Sequence, residues 1–263
     1  MMNSRSRVGA VAELLALRGV GKGYRRGGRW LRVLVDVSLD VGPGELIAVV
    51  GARGEGKTTL LKVGAGLELP DEGEVCLGGK DLARCSDEER SRQLGTEIAW
   101  VHREGTGVKF EVLDYVGLPL AMGRGQGRRR AETLAMQALE RVGAAECAHQ
   151  RWEELSNWER VLVGFARGAV GEPRLMIVDD VIEGLGMRRT REAGELLRAL
   201  VGELGCGVLM SASDLEVALV ADRVWSFERG KLTLMSDQTR TQADIIDFPG
   251  GARQSRASRG ASS

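Results

Sequence analysis

Gly51, four residues, then Gly56-Lys57-Thr58 is the spacing of a loop that holds phosphate groups. Glycines let successive backbone N–H groups curl around phosphate oxygens, and the start of a helix adds the attraction of its positive end. In such a loop Lys57 reaches the β and γ phosphates and the Thr58 hydroxyl holds Mg²⁺, with Gly51, Gly54, Glu55, Gly56 and Thr59 as further lining. A glycine-rich turn without a ligand is the plain alternative. The apolar stretch Glu45–Val50 before the loop and the helix start Thr59–Val63 after it favour the ligand. A second element, Leu175-Met176-Ile177-Val178-Asp179, ends an apolar strand on a carboxylate, as phosphate-loop enzymes do to orient Mg²⁺ and its waters. Asp179 as a mere helix cap is the alternative there, and the upstream phosphate loop weighs against it. The chemistry indicated is binding of a nucleoside triphosphate.

The elements that must position these residues alternate between strands and helices. Residues 14–50 read as short strands and turns, and Gly73–Leu77 as a hairpin piece closed by Gly78-Gly79. Ser86, ahead of Asp87-Glu88-Glu89, predicts a capped helix start. Ile98–Val101 predicts a short buried strand, and helical periodicity dominates about 111–150. A helix over 188–204 and strands at Val208–Met210 and Arg223–Phe227 complete the pattern. The run Gly123–Arg130 predicts a solvated loop leading into a helix at Ala131.

Composition sets the limits. The 263 residues suffice for one large domain or a domain with a subdomain, and 43% apolar content supports an ordinary core. Basic and acidic residues balance at 37 each, which argues against a nucleic-acid partner. No stretch reaches the roughly 18 apolar residues of a membrane span. Arg5-Ser6-Arg7 with Val8–Leu17 has a faint signal-peptide look, but Glu13 interrupts it and a first strand is the better reading. Cys76, Cys85, Cys147 and Cys206 form no close pair and read as reduced thiols of a cytoplasmic protein. His102 and His149 lack partners at metal-ligand spacing and read as surface or packing residues, while Trp100, Trp152 and Trp225 read as packing.

Between the two phosphate elements lies Leu155-Ser156-Asn157-Trp158-Glu159-Arg160, followed by Gly164–Gly168. This resembles the signature of the ATP-binding cassette (ABC) family, a Leu-Ser-Gly-Gly-Gln/Glu loop that opens a helix. The resemblance covers about residues 14–232. Asp81–Arg84, Ser86–Arg90 and Gly117–Leu120 look like the branch serving lipoprotein-release, macrolide-export and FtsEX-type complexes. The resemblance implies an α/β phosphate-loop NTPase of ABC type, with a RecA-like core, an antiparallel β subdomain and a helical subdomain inserted at about 104–165. The nucleotide-binding domain is then 14–235, flanked by an N-terminal extension (1–13) and a C-terminal extension (236–263) with a disordered end. It also implies ATP and Mg²⁺ as ligands, Tyr24 as the aromatic that stacks on adenine, and Thr58 with Asp179 as the metal's residues. Two such cassettes sandwich two ATPs head to tail, each lending its signature loop, here Ser156, Asn157 and Trp158, to the other's site. The implied partners are a second cassette, a copy or a paralogue, and transmembrane permease subunits. Val112, Leu113, Tyr115, Val116 and Leu118 are candidates to line or support the permease groove. The implied location is the cytoplasmic face of the inner or plasma membrane, held there through those partners.

Departures from the family pattern concentrate where hydrolysis is done. Asp180 stands in place of the catalytic Glu, and Ser213 in place of the switch His. Arg103 replaces the Gln that approaches the metal and water, Asn157 and Trp158 replace signature glycines, and Gly186 falls near the aspartate of the following loop. A base one methylene short sits out of line with its proton. Losing one positioned group around the reacting phosphate typically costs on the order of 10²–10³ in rate. Arg103 cannot ligate a cation but can pair with phosphate oxygen. The expectation is ATP binding with weak or absent turnover; the alternatives are a regulatory or structural pseudo-ATPase cassette, or a soluble ABC protein, which a single cassette without a coiled-coil insertion disfavours.

Overall fold

The computed structural model describes residues 13–102 and 110–237. Two long strands open the chain, β1 (Leu15–Arg26) and β2 (Arg29–Val41), paired antiparallel from Leu15 opposite Val41 to Arg26 opposite Arg29. The patterning over 14–50 predicts short strands instead. The difference lies in the glycines Gly19, Gly21 and Gly23, which do not end β1. Register slips between Leu17 and Gly23 absorb them as bulges. Next come β3 (Leu46–Val50), α1 (Lys57–Gly64), β4 (Glu72–Leu77) and β5 (Lys80–Asp81). β4 takes the free edge of β1, giving a four-stranded antiparallel sheet in the order β2-β1-β4-β5.

α2 (Asp87–Thr96) starts as expected from Ser86, whose side chain accepts the Glu89 N–H while the Glu89 carboxylate accepts the Ser86 N–H. β6 (Ile98–His102) follows, then α3 (Val112–Gly123), α4 (Arg128–Arg141) and α5 (Asn157–Ala169). These three helices bury Tyr115, Val116, Leu120, Ala135, Leu139 and Val161 among themselves. α4 begins three residues before the expected Ala131. An Arg128–Glu132 pair at 2.7 Å, one turn apart, extends the helix into what the charge run presents as loop.

The remaining elements are β7 (Leu175–Asp179), α6 (Met187–Leu204), β8 (Gly207–Ala212), α7 (Leu215–Ala218), β9 (Arg223–Glu228) and β10 (Lys231–Asp237). They complete a six-stranded sheet, β10-β9-β3-β8-β7-β6, parallel except for β10. β10 has no counterpart in the sequence reading. It forms a hairpin with β9 through Arg229 and Gly230, both at positive φ, and Arg-Gly is a weaker turn signal than Asn-Gly. Alternate residues of the parallel strands face opposite sides, and both sides are buried. Ile47, Ile177 and Leu209 pack with Leu60 of α1 and with Leu15 and Leu34 of the antiparallel sheet. Ala48, Val178 and Met210 pack instead with Phe165 of α5 and Leu197 of α6.

The order β3-β8-β7 positions the site. It brings the C-terminal ends of three adjacent parallel strands together, carrying the loop after β3, the carboxylates after β7 and the serines of β8. Ligands of open α/β sheets bind at such an edge. The four cysteines are free thiols. Trp100, Trp152 and Trp225 pack partly buried against the core, and exposed His149 meets Glu111 at 3.0 Å. Among the described residues no helix is long and apolar enough to cross a membrane.

Candidate functional site

The phosphate loop fills the turn between β3 and α1 in a conformation that requires its glycines. Gly56 has φ 111°, and a Cβ there would stand 2.3 Å from a Val33 methyl carbon. A Cβ on Gly51 would stand 2.4 Å from the Phe227 carbonyl oxygen. The loop wraps its own lysine: Lys57 is buried and donates to the Gly51 and Ala52 carbonyls at 2.8 and 3.1 Å. No side chain caps α1, so its first N–H groups remain directed at the loop. Glu55 turns back to accept the Ala52 N–H at 3.2 Å. A carboxylate thus rests on one of the donors that phosphate oxygens would use.

Thr58 donates to Asp179 at 3.2 Å, joining the loop to the end of β7. Ser211, buried in β8 between them, closes a cluster. Its hydroxyl lies 2.8 Å from Asp179 Oδ1 and 3.1 Å from Asp180 Oδ1, and it accepts the Asp180 N–H at 2.9 Å. The hydroxyl has one proton, so only one carboxylate receives it at a time. Asp180 itself sits at φ 49°, in the left-handed region that Asp tolerates better than most residues. Burial pushes the Asp180 carboxyl above its ordinary range, Lys57 opposes this, and neighbouring Asp179 adds to it. A cleft of about 380 Å³ opens in front, lined by Asp180, Glu183, Gly186, Thr190, Ser211 and Ser213. Glu183 of this lining is held by Arg53 of the phosphate loop in a two-pronged pair, at 3.0 and 2.9 Å. That pairing holds the Glu183 carboxyl below its ordinary range, and half-buried Ser213 contributes in the same direction.

Tyr24 projects from β1 toward the first turn of α1. Its hydroxyl donates to Glu68, and Thr59 bonds to it as well. Burial, and then the bond to Glu68, raise the phenol above its usual range. The Lys22 ammonium lies 5.8 Å from the Tyr24 ring centroid and is tethered to Asp71 at 3.0 Å.

The signature residues are held elsewhere. Ser156 caps α5 in a reciprocal box: it accepts the Glu159 N–H at 3.3 Å, and Glu159 accepts the Ser156 N–H at 2.7 Å. The Ser156 hydroxyl and then the Ser156 N–H hold the Glu159 carboxyl below its usual range. Asn157 is exposed. Trp158 is half-buried against the core, with the Arg189 guanidinium of α6 stacked over its ring at 4.4 Å. The structure therefore gathers Tyr24, Gly51, Gly54, Glu55, Gly56, Lys57, Thr58, Thr59, Asp179, Asp180 and Ser213 around one edge, and ties Ser156, Asn157 and Trp158 to α5 and α6. Arg103 lies outside the described residues. Two features have no counterpart in the sequence reading. Ser211 becomes visible only once β8 lies between β3 and β7; the Arg53–Glu183 pair had a faint signal, opposite charges in two loops of one site.

A phosphate loop and a carboxylate-ended strand, separated by one parallel strand, define a phosphate-loop nucleotide-binding protein. The chain belongs to the ABC transporter family, as an ATP-binding cassette: the family model for ABC transporter matches residues 34–183. It is 34% identical over 224 residues to the lipoprotein-releasing system ATP-binding protein LolD of Cereibacter sphaeroides, covering 84% of this chain and 100% of that protein. To LolD of Chromohalobacter salexigens it is 33% identical, covering 84% and 93%. Its fold matches the dimeric structure of MJ0796, a bacterial ABC transporter cassette, with a TM-score of 0.77 and 25% identity over 83% of this chain and 96% of that one. A post-hydrolysis state of MJ0796 bound to ADP and Pi gives the same TM-score at 24% identity, covering 89% of this chain and 100% of that one.

Proposed function

We propose that this chain binds ATP with Mg²⁺ at a cassette–cassette interface and couples the resulting closure to separate transmembrane subunits, with slow or absent hydrolysis of its own. The observation that carries the reading is the Thr58–Asp179–Ser211–Asp180 cluster. The Thr58 hydroxyl and the Asp179 carboxylate are hard oxygen donors of the kind Mg²⁺ takes, so the residues present fit the ion. When bound, the ion neutralises charge on the β and γ oxygens. Lys57 then holds those phosphates, and Tyr24, anchored by Glu68, supplies a flat face for the base. Asp180 is the weak part. Its carboxylate is short and engaged with Ser211, and Ser213 offers no ring nitrogen to hold a water or phosphate oxygen.

The membrane partner is supported by a second cleft, about 430 Å³, lined by Trp100, Leu118, Pro119, Met122, Arg124 and Arg167. It is apolar with a basic rim and suits an amphipathic helix of a transmembrane subunit. Of the groove candidates, Leu118 lines it, while buried Val112, Tyr115 and Val116 support it from within. Leu113 lies in a neighbouring cleft with Phe110 and Leu118. The likeness to lipoprotein-releasing cassettes supports a place on the cytoplasmic face of the inner membrane, held through such subunits. A second reading is a regulatory cassette that holds its complex together whatever its nucleotide state. It is favoured by Trp158, which stands where the family has a signature glycine and is stacked under Arg189.

Steady-state phosphate release from the purified complex tests the reading. Wild type should be slow, and Asp180→Glu with Ser213→His should raise the rate. A wild-type rate of about ten per second or more, abolished by Asp180→Ala, would show a competent base and overturn it.

A further inference from the structure

We infer that Arg53 reads the terminal phosphate: its guanidinium leaves Glu183 for the γ-phosphate of a bound triphosphate and thereby sets the preference for tri- over diphosphate. This rests on the reading above that nucleotide phosphates occupy the loop.

Arg53 stands inside the phosphate loop, between Ala52 and Gly54, so its reach starts where the phosphates would lie. Its guanidinium grips Glu183 through Nε and Nη2 at 3.0 and 2.9 Å. That fork geometry matches two oxygens of a phosphate as well as two of a carboxylate. The grip lies at the cleft that also contains Asp180, Ser211 and Ser213. Lys57 and Arg53 both act electrostatically on Asp180 and Glu183, so two cations of the one loop share the same carboxylates. A terminal phosphate placed by Lys57 enters this group; a diphosphate ends short of it.

The pair is built to exchange. The Arg53 side chain is 78% exposed while Glu183 is 24% exposed, so the guanidinium is the partner free to swing away, and a pair with one exposed member is held only modestly. A terminal phosphate offers more charge and more oxygens than the carboxylate it replaces. The same contact serves as a latch without nucleotide, joining the phosphate loop to the loop that follows β7. A latch with no phosphate role would affect ATP and ADP alike, and that difference supplies the test.

Full-length chain is titrated with ATP and with ADP by calorimetry in Mg²⁺, at concentrations where it sediments as a monomer. Arg53→Ala should weaken ATP on the order of 10–100-fold and leave ADP within about twofold. Arg53→Lys should fall between, because a point charge cannot reproduce the fork. Glu183→Gln should strengthen ATP and leave ADP unchanged. Equal weakening of both nucleotides by Arg53→Ala, or no change in either, overturns the assignment while leaving nucleotide binding intact. A wild-type chain that binds neither nucleotide, or a Lys57→Ala variant that binds both undiminished, overturns the inference together with the reading beneath it.

Discussion

The helix that follows the phosphate loop and the helix that carries Ser156, Asn157 and Trp158 both present a first turn to the site chemistry of this family, yet they treat their free N–H groups in opposite ways. α1 has no side-chain cap and no acidic residue in its first turn. α5 has a reciprocal capping box and Glu159 in its first turn. A helix start left uncapped is unfinished without a ligand, because its orphan donors need acceptors. A helix start closed by its own serine and glutamate already has acceptors for its first donors. The two helix starts therefore differ: α1 is left open as the proposed receiving half, and α5 is capped by its own side chains and stacked on α6.

Three substitutions would break or sharpen that contrast. The largest effect belongs to Lys57→Ala, which should weaken ATP about 100-fold or more, since it removes a charged donor to two phosphates. Undiminished binding by calorimetry would mean that α1 is not the receiving half. Tyr24→Ala comes next, at about tenfold, in line with the ~1–3 kcal/mol of base stacking on an aromatic ring. Loss of affinity for ATP and for inorganic triphosphate to the same degree would show that Tyr24 does not touch the base. Ser156→Ala is the smallest. It should cost about 1 kcal/mol of stability in denaturant unfolding, the usual worth of such a cap, and leave the monomer's ATP affinity unchanged. A drop in monomer affinity would show that the signature helix belongs to the receiving half after all.

What the sequence made legible follows the same line. The phosphate loop and Asp179 could be read because their chemistry depends on local spacing and on a strand end. Ser86 could be read as a cap for the same reason, and the cap forms. Features that need strand register could not be read. Ser211 bridges Asp179 and Asp180 only because β8, though later in the chain, inserts between β3 and β7. The length of β1 stayed hidden because glycines that usually end strands are absorbed as bulges. Trp158 could be read as the replacement of a signature glycine, but not as the ring that packs under Arg189. That contact lies between two helices distant in sequence, beyond the reach of any local pattern.

The stack of Trp158 under Arg189 ties the start of α5 to the first turn of α6. α6 starts at Met187, where the loop bearing Asp180 and Glu183 ends, and Arg189 sits in its first turn. That turn therefore borders both the Trp158 ring at the start of α5 and the chain leading back to the carboxylates. One guanidinium and one indole thus connect the stretch of chain that carries Asp180 and Glu183 to the start of the helix that carries Asn157.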